Sequence, residues 1–440
     1  MAEAIAALHQ QLIQLSEPIR EIVSKTPYEP PEGASVSVKS VVESLLPNTG
    51  LVRKSPTLNK DDVLSEIRKF SMCCALLASA EGSASDLMKW IPREVSAAAS
   101  EAFNAAGKAY FGSLGGKGLG KTVELGLELV EDEGKKLVVE LAPEVFPLLK
   151  ASIKESAIDR SDEVDQVSAA CARAPVAYAI MAAYQFRWFV TQIGFPYLGK
   201  LCALVIPCAL TSLDHWSPEV KGQGMITFIH LGNNVNSGEL GWCQDVILDA
   251  CFQNIVCSDD IWHLVVEMSV LFAASTQKNN PRSPWFEKLL NEMLGHLERH
   301  PRNKERRVAW LEHIDPLLNS VGLILLAHFS RIFPLVFQWI HADDDDTVIL
   351  VLKFVQTIIK LTWIRNTPYV ARLVDELSII YKEAAMRKAR TEIRKHVAQL
   401  LIFLRQCQGL QFEAAWAKHK DDPNLETLEL FREQDTMIAI

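Results

Sequence analysis

Eight consecutive residues, Gly115-Gly116-Lys117-Gly118-Leu119-Gly120-Lys121-Thr122, satisfy the phosphate-binding pattern G-x-x-x-x-G-K-[ST] at every position. In such a loop backbone amides cradle the phosphates, the lysine pairs with the terminal phosphates and the threonine hydroxyl holds magnesium. That chemistry needs a buried strand before the loop and a helix after it. Here the preceding stretch, residues 97–110, is alanine-rich with helical periodicity. A partner carboxylate after four apolar residues, which completes the magnesium site, is missing; Val246-Ile247-Leu248-Asp249 falls one apolar residue short. Glycines at 112, 115, 116, 118 and 120 would together cost about 5 kcal/mol in a helix interior, at about 1 each. The stretch therefore reads as a flexible connector between helices. A nucleotide site using Lys121 and Thr122 is the alternative.

Other residues invite chemistry and fall short of it. His296 and His300 stand four apart, where two imidazoles could face one metal, but Leu297 occupies the position of the motif's glutamate and no third ligand is evident. The run 343–346, four aspartates, lacks the glycine and terminal glutamate of a calcium loop, with Val348 and Phe354 at those positions. A helix N-terminus that favours negative charge explains it better. Two basic clusters, Arg299/Arg302/Lys304/Arg306/Arg307 and Lys382/Arg387/Lys388/Arg390/Arg394/Lys395, read as solvated helix faces or as surfaces for an acidic partner segment or phosphates. Trp363 with Arg365 is an interface candidate, because Trp and Arg are enriched at binding hot spots. Arg387, Arg390 and Arg394 join it as partner-binding candidates. No nucleophile elbow, paired-carboxylate constellation or cofactor fingerprint is present, so the expectation is a non-enzymatic chain with no catalytic, cofactor or metal residues.

The elements that position these residues are helical. Ala, Leu, Glu and Lys dominate and alternating β-branched runs are nearly absent. Helical spacing marks residues 3–23, 36–46, about 59–80, 92–111 and 122–158, with a Pro/Gly-rich link at 27–33. The clearest unit is 195–232. Its first half carries Leu198, Leu201, Cys202, Val205, Cys208 and Ala209 at helical spacing; Asp214, His215 and Trp216 break it. Ser217 offers an N-cap hydroxyl and Pro218 a first-turn residue. The second half presents Val220, Ile226, Phe228 and Ile229, and the order Asp214, Val220, Lys221, Gly224 follows the HEAT pattern of Asp, Val, basic, small. Such a hairpin cannot bury its apolar stripe alone and needs stacked neighbours.

From residue 166 onward helical segments recur with polar breaks at 233–236, 258–260, 278–284, 301–305, 342–346 and 366–367. A helix pair then occupies about 40 residues, the HEAT period. Looser echoes start at Phe333-Pro334-Leu335 and Phe146-Pro147-Leu148. The expected fold is an all-α, HEAT/armadillo-like helical-repeat solenoid. Its expected divisions are an N-terminal helical region at 1–165 with the glycine-rich connector near 112–120, a repeat domain at 166–420, and a tail at 421–440 that is either a docking helix or a frayed end.

Composition excludes several classes. Of 440 residues 49% are apolar and 22% charged, enough for a continuous core. A net charge of −9 argues against neutralising many phosphates over the whole surface, so nucleic acid is not an expected partner. The nine cysteines form no C-x-x-C pair and the N-terminus lacks the basic region of a signal peptide, which implies a reducing compartment. Apolar runs are interrupted by Arg187, Arg331, Lys353 or Lys360, short of the roughly 18 residues of a membrane span. A soluble cytoplasmic or nuclear protein is expected.

Residues 209–231, with Leu213-Asp214, Glu219-Val220-Lys221-Gly222-Gln223-Gly224 and His230, resemble the signature hairpin of the Tel-two-interacting protein two family. Residues 247–255 fit the helix that follows it. Trp363-Ile364-Arg365 falls at a Trp-Pro-Arg-like triplet, with isoleucine in place of proline. The resemblance covers about residues 195–410. It implies a helical-repeat subunit of a three-protein co-chaperone assembly, with two larger helical-repeat partners and the ninety-kilodalton heat-shock chaperone. Such assemblies mature and stabilise the giant phosphatidylinositol-three-kinase-related kinases of DNA-damage and nutrient signalling. It implies no catalytic residues. A HEAT adaptor in trafficking or nuclear transport is the rival within the same class.

Overall fold

Local sequence fixes where many of the helices begin. Ser37 accepts from the Ser40 amide, Asp132 from those of Gly134 and Lys135, Ser283 from Trp285, Asn303 from Arg306 and Asp344 from Thr347. Each satisfies a donor that the first helical turn leaves unpaired. A computed structural model describes residues 2–33, 35–47, 60–113, 132–156, 174–364 and 368–430, and among them every regular element is helical. The fold is all-α, of the HEAT-like helical-repeat solenoid class.

Two compact units divide between Cys243 and Gln244. The first contains α1 (Ala2–Lys25), α2 (Val38–Leu45), α3 (Lys60–Ala78), α4 (Arg93–Ser113), α5 (Glu133–Glu155), α6 (Val176–Thr191), α7 (Tyr197–Leu213) and α8 (Pro218–Asn234). Helices α1, α4, α5 and α7 pack side by side in one layer, and α3, α6 and α8 in the other. The expected boundary near 165 is not where the units part, because α5 packs on both α6 and α7. The acidic stretch 159–165 lies outside the described residues.

The second unit is the more regular. Its first layer is α9 (Gln244–Asn254), α11 (Pro284–Arg299), α14 (Phe329–Trp339), α16 (Tyr369–Glu383) and α18 (Gly409–Trp416). Successive starts lie 40, 45, 40 and 40 residues apart. Its second layer is α10 (Asp259–Thr276), α12 (Lys304–His313), α15 (Asp345–Thr362) and α17 (Arg390–Cys407), each packed on the next. One hairpin departs from the pattern: α13 (Asp315–Val321) and a 3-10 helix (Gly322–His328) intervene before α14.

That insertion corrects the reading of apolar runs. Residues Asp315–Trp339 form a helical run long and apolar enough, by composition, to cross a bilayer. Gly322 turns the chain within it at φ 57°, and Leu317, Leu325, Ile332, Phe333 and Val336 are buried inside the unit. The start of the tail is docked: Leu425 and Leu428 are buried, and Lys382 on α16 donates to Asp422 at 2.9 Å. Residues 431–440 lie outside the described residues.

The hairpin 195–232 forms as α7 and α8. Gly224 is there because nothing larger fits: a Cβ would come within 2.8 Å of the Ser212 Cβ and 3.2 Å of the Ala209 carbonyl oxygen. Ser217 is the N-cap residue, but its hydroxyl makes no capping bond; its amide donates to His215 Nδ1 at 3.0 Å. Replacing Gly224 with alanine is expected to destabilise the first unit by about 1–3 kcal/mol through overpacking. The check is a lower urea midpoint at unchanged slope, with Gly238→Ala, where a Cβ meets open space, leaving the midpoint in place.

Candidate partner-binding surface

Residues predicted to meet a partner must first be separated from those that hold the array together. In the second unit the turns within hairpins are bonded one to the next by polar side chains. Arg306, buried on α12, pairs with Asp259 at the start of α10, donates to the Cys257 carbonyl at 3.3 Å and to His296 Nδ1 at 3.0 Å. Asn303 donates to Asp259 at 2.8 Å. Trp339 Nε1 reaches the Pro301 carbonyl at 2.9 Å. Arg307 and Lys304 pair with Asp344 at 2.9 and 3.2 Å. One hairpin further, Arg387 donates to the Ala342 carbonyl at 2.7 Å and to Asp345 at 3.2 Å, and the Ala389 amide donates to Asp345 at 2.8 Å.

The aspartate run 343–346 thus caps α15 and receives cations from the hairpins on both sides. Burial raises the pKa of Asp344, but bonds from the Thr347 hydroxyl and amide, Lys304 and Arg307 outweigh that and bring its carboxyl down to about 2. His296 is an internal hydrogen-bond partner of Arg306, whereas His300, the α11 C-cap, is exposed.

This sorts the five predicted residues. Arg387 is mostly covered and committed to the ladder. Arg394 donates to the Tyr381 carbonyl at 3.1 Å and lies over its ring at 4.6 Å. Arg390, the first residue of α17, is exposed. Arg365 lies outside the described residues, as do the Gly115–Thr122 segment and its connector; the element before that segment is α4, a helix and not a strand. Trp363 is the α15 C-cap, 59% exposed, with φ 53° in the left-handed region. Ile364 follows at φ 47°, fully buried, with its amide donating to the Thr362 hydroxyl at 3.1 Å. A proline ring fixes φ near −65°, so a proline at 364 does not fit this turn.

Trp363 sits among the turns that connect one hairpin to the next, on the edge opposite the ladder. Its carbonyl accepts from Gln408 at 3.3 Å, joining two such turns. Leu410, two residues on, is 92% exposed. Leu323 and Ile324 of the 3-10 insertion are exposed on a connecting turn as well. The sequence reading did not single out these aliphatic residues. The run Val321-Gly322-Leu323-Ile324-Leu325-Leu326 after a short helix was the signal.

No family model matches the chain. The uncharacterized protein At2g39910 of Arabidopsis thaliana is 52% identical over 428 residues, covering 97% of this chain and 95% of that protein. The chain belongs to that protein's family. Among solved structures, the crystal structure of Kap121p aligns with 92% of this chain at 12% identity and a TM-score of 0.44. This chain spans 42% of the length of Kap121p. An engineered protein aligns with 90% of this chain and 99% of its own length, at 10% identity and a TM-score of 0.41.

Two outcomes follow, one from the ladder and one from the buried histidines. Asp344→Ala removes a cap and the anchor of two cations and should lower stability by about 2 kcal/mol, while Arg390→Ala should stay within about 0.5 kcal/mol; chemical denaturation of both variants is the check. Burial lowers the pKa of His215, His296, His328 and His396. Near pH 6 the folded chain then binds fewer protons than the unfolded one, so this stability is present above about 6.5 and lost as pH falls below it. Melting temperature should be flat from pH 8 to 7 and decline from 6.5 towards 5, with a shallower decline in His215→Gln.

Proposed function

We propose that this chain is a non-enzymatic scaffold subunit of a co-chaperone adaptor complex supporting the maturation and stability of phosphatidylinositol-three-kinase-related kinases. The observation that carries the reading is the α7–α8 hairpin. There the residues bearing the family resemblance do structural work: Lys221 donates to the Leu213 carbonyl at 2.8 Å, Gly224 allows the close approach, and His230 hydrogen-bonds the Ile193 carbonyl at 2.7 Å. The reading is further supported by a stacked-hairpin fold that exposes Leu323, Ile324, Trp363 and Leu410 at connecting turns.

In this reading two larger helical-repeat subunits bind directly, and the ninety-kilodalton chaperone and the giant kinases are reached through them. The work takes place in cytoplasm and nucleus, and neither nucleic acid nor a bilayer is a partner. Binding uses extended surfaces, with Trp363 as an anchor.

Affinity purification of the tagged chain from its own cells tests the reading. Two large helical-repeat proteins in near-equal amounts, with traces of giant kinases, are the expected result. Vesicle-coat or transport proteins in their place would overturn it in favour of a trafficking adaptor. Magnesium-dependent nucleotide binding lost in Lys121→Ala would overturn it in favour of a nucleotide-binding protein. Trp363→Gly should separate fold from function: it relieves left-handed strain of about 1 kcal/mol and so holds or raises the melting temperature, while recovery of the large subunits falls at least fivefold.

A further inference from the structure

The 3-10 insertion creates a cavity of about 250 Å³ beside the start of α11. Its apolar wall comes from Phe286 and Leu290 on α11 and Val321 at the end of α13. Ile324, 41% exposed, forms a lip over it, with Leu323 beside it 51% exposed. A turn of this length could have been polar. Two adjacent aliphatic side chains at the mouth of a cavity offer apolar surface that a docked segment would cover.

The polar groups there are sparse. His328 lines the cavity, is only 7% exposed, and has no hydrogen bond to its imidazole among the described residues. Burial lowers its pKa, with Glu287 opposing and Arg331 reinforcing the shift. A neutral ring offers one acceptor nitrogen. Arg282 is exposed on the rim and has no ion pair among the described residues. Glu287, also exposed on the rim, disfavours an anion on its own side.

Size narrows the occupant. Pockets for drug-sized ligands run from about 300 to 1,000 Å³, whereas an apolar cavity of about 150 Å³ already takes benzene. The space therefore suits one aromatic side chain. Phe286, Leu290 and Val321 would pack its ring, and His328 would accept from an indole N–H or phenol O–H.

We propose that the cavity is the anchor site for a partner-protein segment in which Trp or Tyr stands next to an acidic residue, the ring entering the cavity and the carboxylate pairing with Arg282. This deepens the scaffold reading and rests on it. One rigid aromatic in a pocket with a charged neighbour at the rim is the composition of an interface hot spot.

The test uses the full chain, immobilised, and three pools of labelled dodecapeptides with a fixed central pair: Glu-Trp, Lys-Trp or Glu-Ala, with the other positions random. The Glu-Trp pool is expected to be retained at least tenfold above the other two. Arg282→Glu should reverse the preference between Glu-Trp and Lys-Trp, and Ile324→Arg should abolish retention. Both positions are exposed, and unchanged melting curves confirm the folded state. Equal retention of Glu-Trp and Glu-Ala, or indifference to Arg282→Glu, would overturn the proposal. So would an absence of peptide binding together with sedimentation on phosphatidylcholine–phosphatidylserine vesicles that Ile324→Arg prevents, which assigns the apolar lip to a membrane surface. Peptide failure with recovery of the two large subunits intact refutes the cavity assignment alone. Peptide success without those subunits refutes the complex and leaves the cavity standing.

Discussion

Polar bonds between successive hairpin turns are the constraint on which the second unit depends. Apolar stripes on stacked helices attract without specifying which turn meets which, since burial is non-directional. Register comes from directional bonds that recur at the repeat length: Trp339 to Pro301 across 38 residues, Ala389 to Asp345 across 44, Lys382 to Asp422 across 40. The first unit has its own version. Trp216 Nε1 donates to the Ser156 carbonyl at 3.2 Å, and His215, whose Nδ1 accepts from Ser217, presents Nε2 to the Ser156 hydroxyl at 3.3 Å. These bonds are shielded and partly buried, where a lost partner is most expensive.

Repeat length and hairpin identity were legible because both are local. The breaks at 258–260, 301–305 and 342–346 fall at helix starts, where Asn, Ser or Asp precede the first turn. The pairing of charges was not legible, because it is made across 37 to 47 residues. Arg387 and Arg390 look alike in one basic cluster, yet the first is bonded to the preceding hairpin and the second faces solvent. The insertion at 315–328 was hidden for another reason. Its short helix and 3-10 turn have the apolar content of a core helix, and only the positive φ at Gly322 separates them from one. The tail was ambiguous by pattern, since the residues that receive Asp422 and His419 are Lys382 and Asp375 on a distant helix.

The two edges of the second unit differ in their polar bonding, while both expose apolar side chains, Val256 and Met386 on turns within hairpins among them. Turns within hairpins have many of their carboxylates, guanidinium groups and carbonyls committed to one another, so a partner arriving at those groups would have to replace bonds already made. Turns between hairpins carry fewer such bonds and expose Leu323, Ile324, Trp363 and Leu410. A docking protein gains more by covering apolar surface than by exchanging one ion pair for another. Of the arginines that sequence composition favoured, Arg387 and Arg394 are committed to bonds within the unit, whereas the connecting turns expose aliphatic and aromatic side chains.

Trp363 and Ile364 show what this arrangement demands of the backbone. Two consecutive non-glycine residues in the left-handed region, one of them β-branched, each carry strain on the order of 1–3 kcal/mol. Such a turn persists only when its surroundings over-determine it. Here Ile364 is buried, its amide is held by Thr362, and the Trp363 carbonyl is held by Gln408 of the next connecting turn. Packing alone would be served as well by glycine at 363, which adopts this conformation freely. The indole is thus left more than half exposed by a turn whose backbone glycine would adopt as well, and that is the physical support for its proposed role as an anchor.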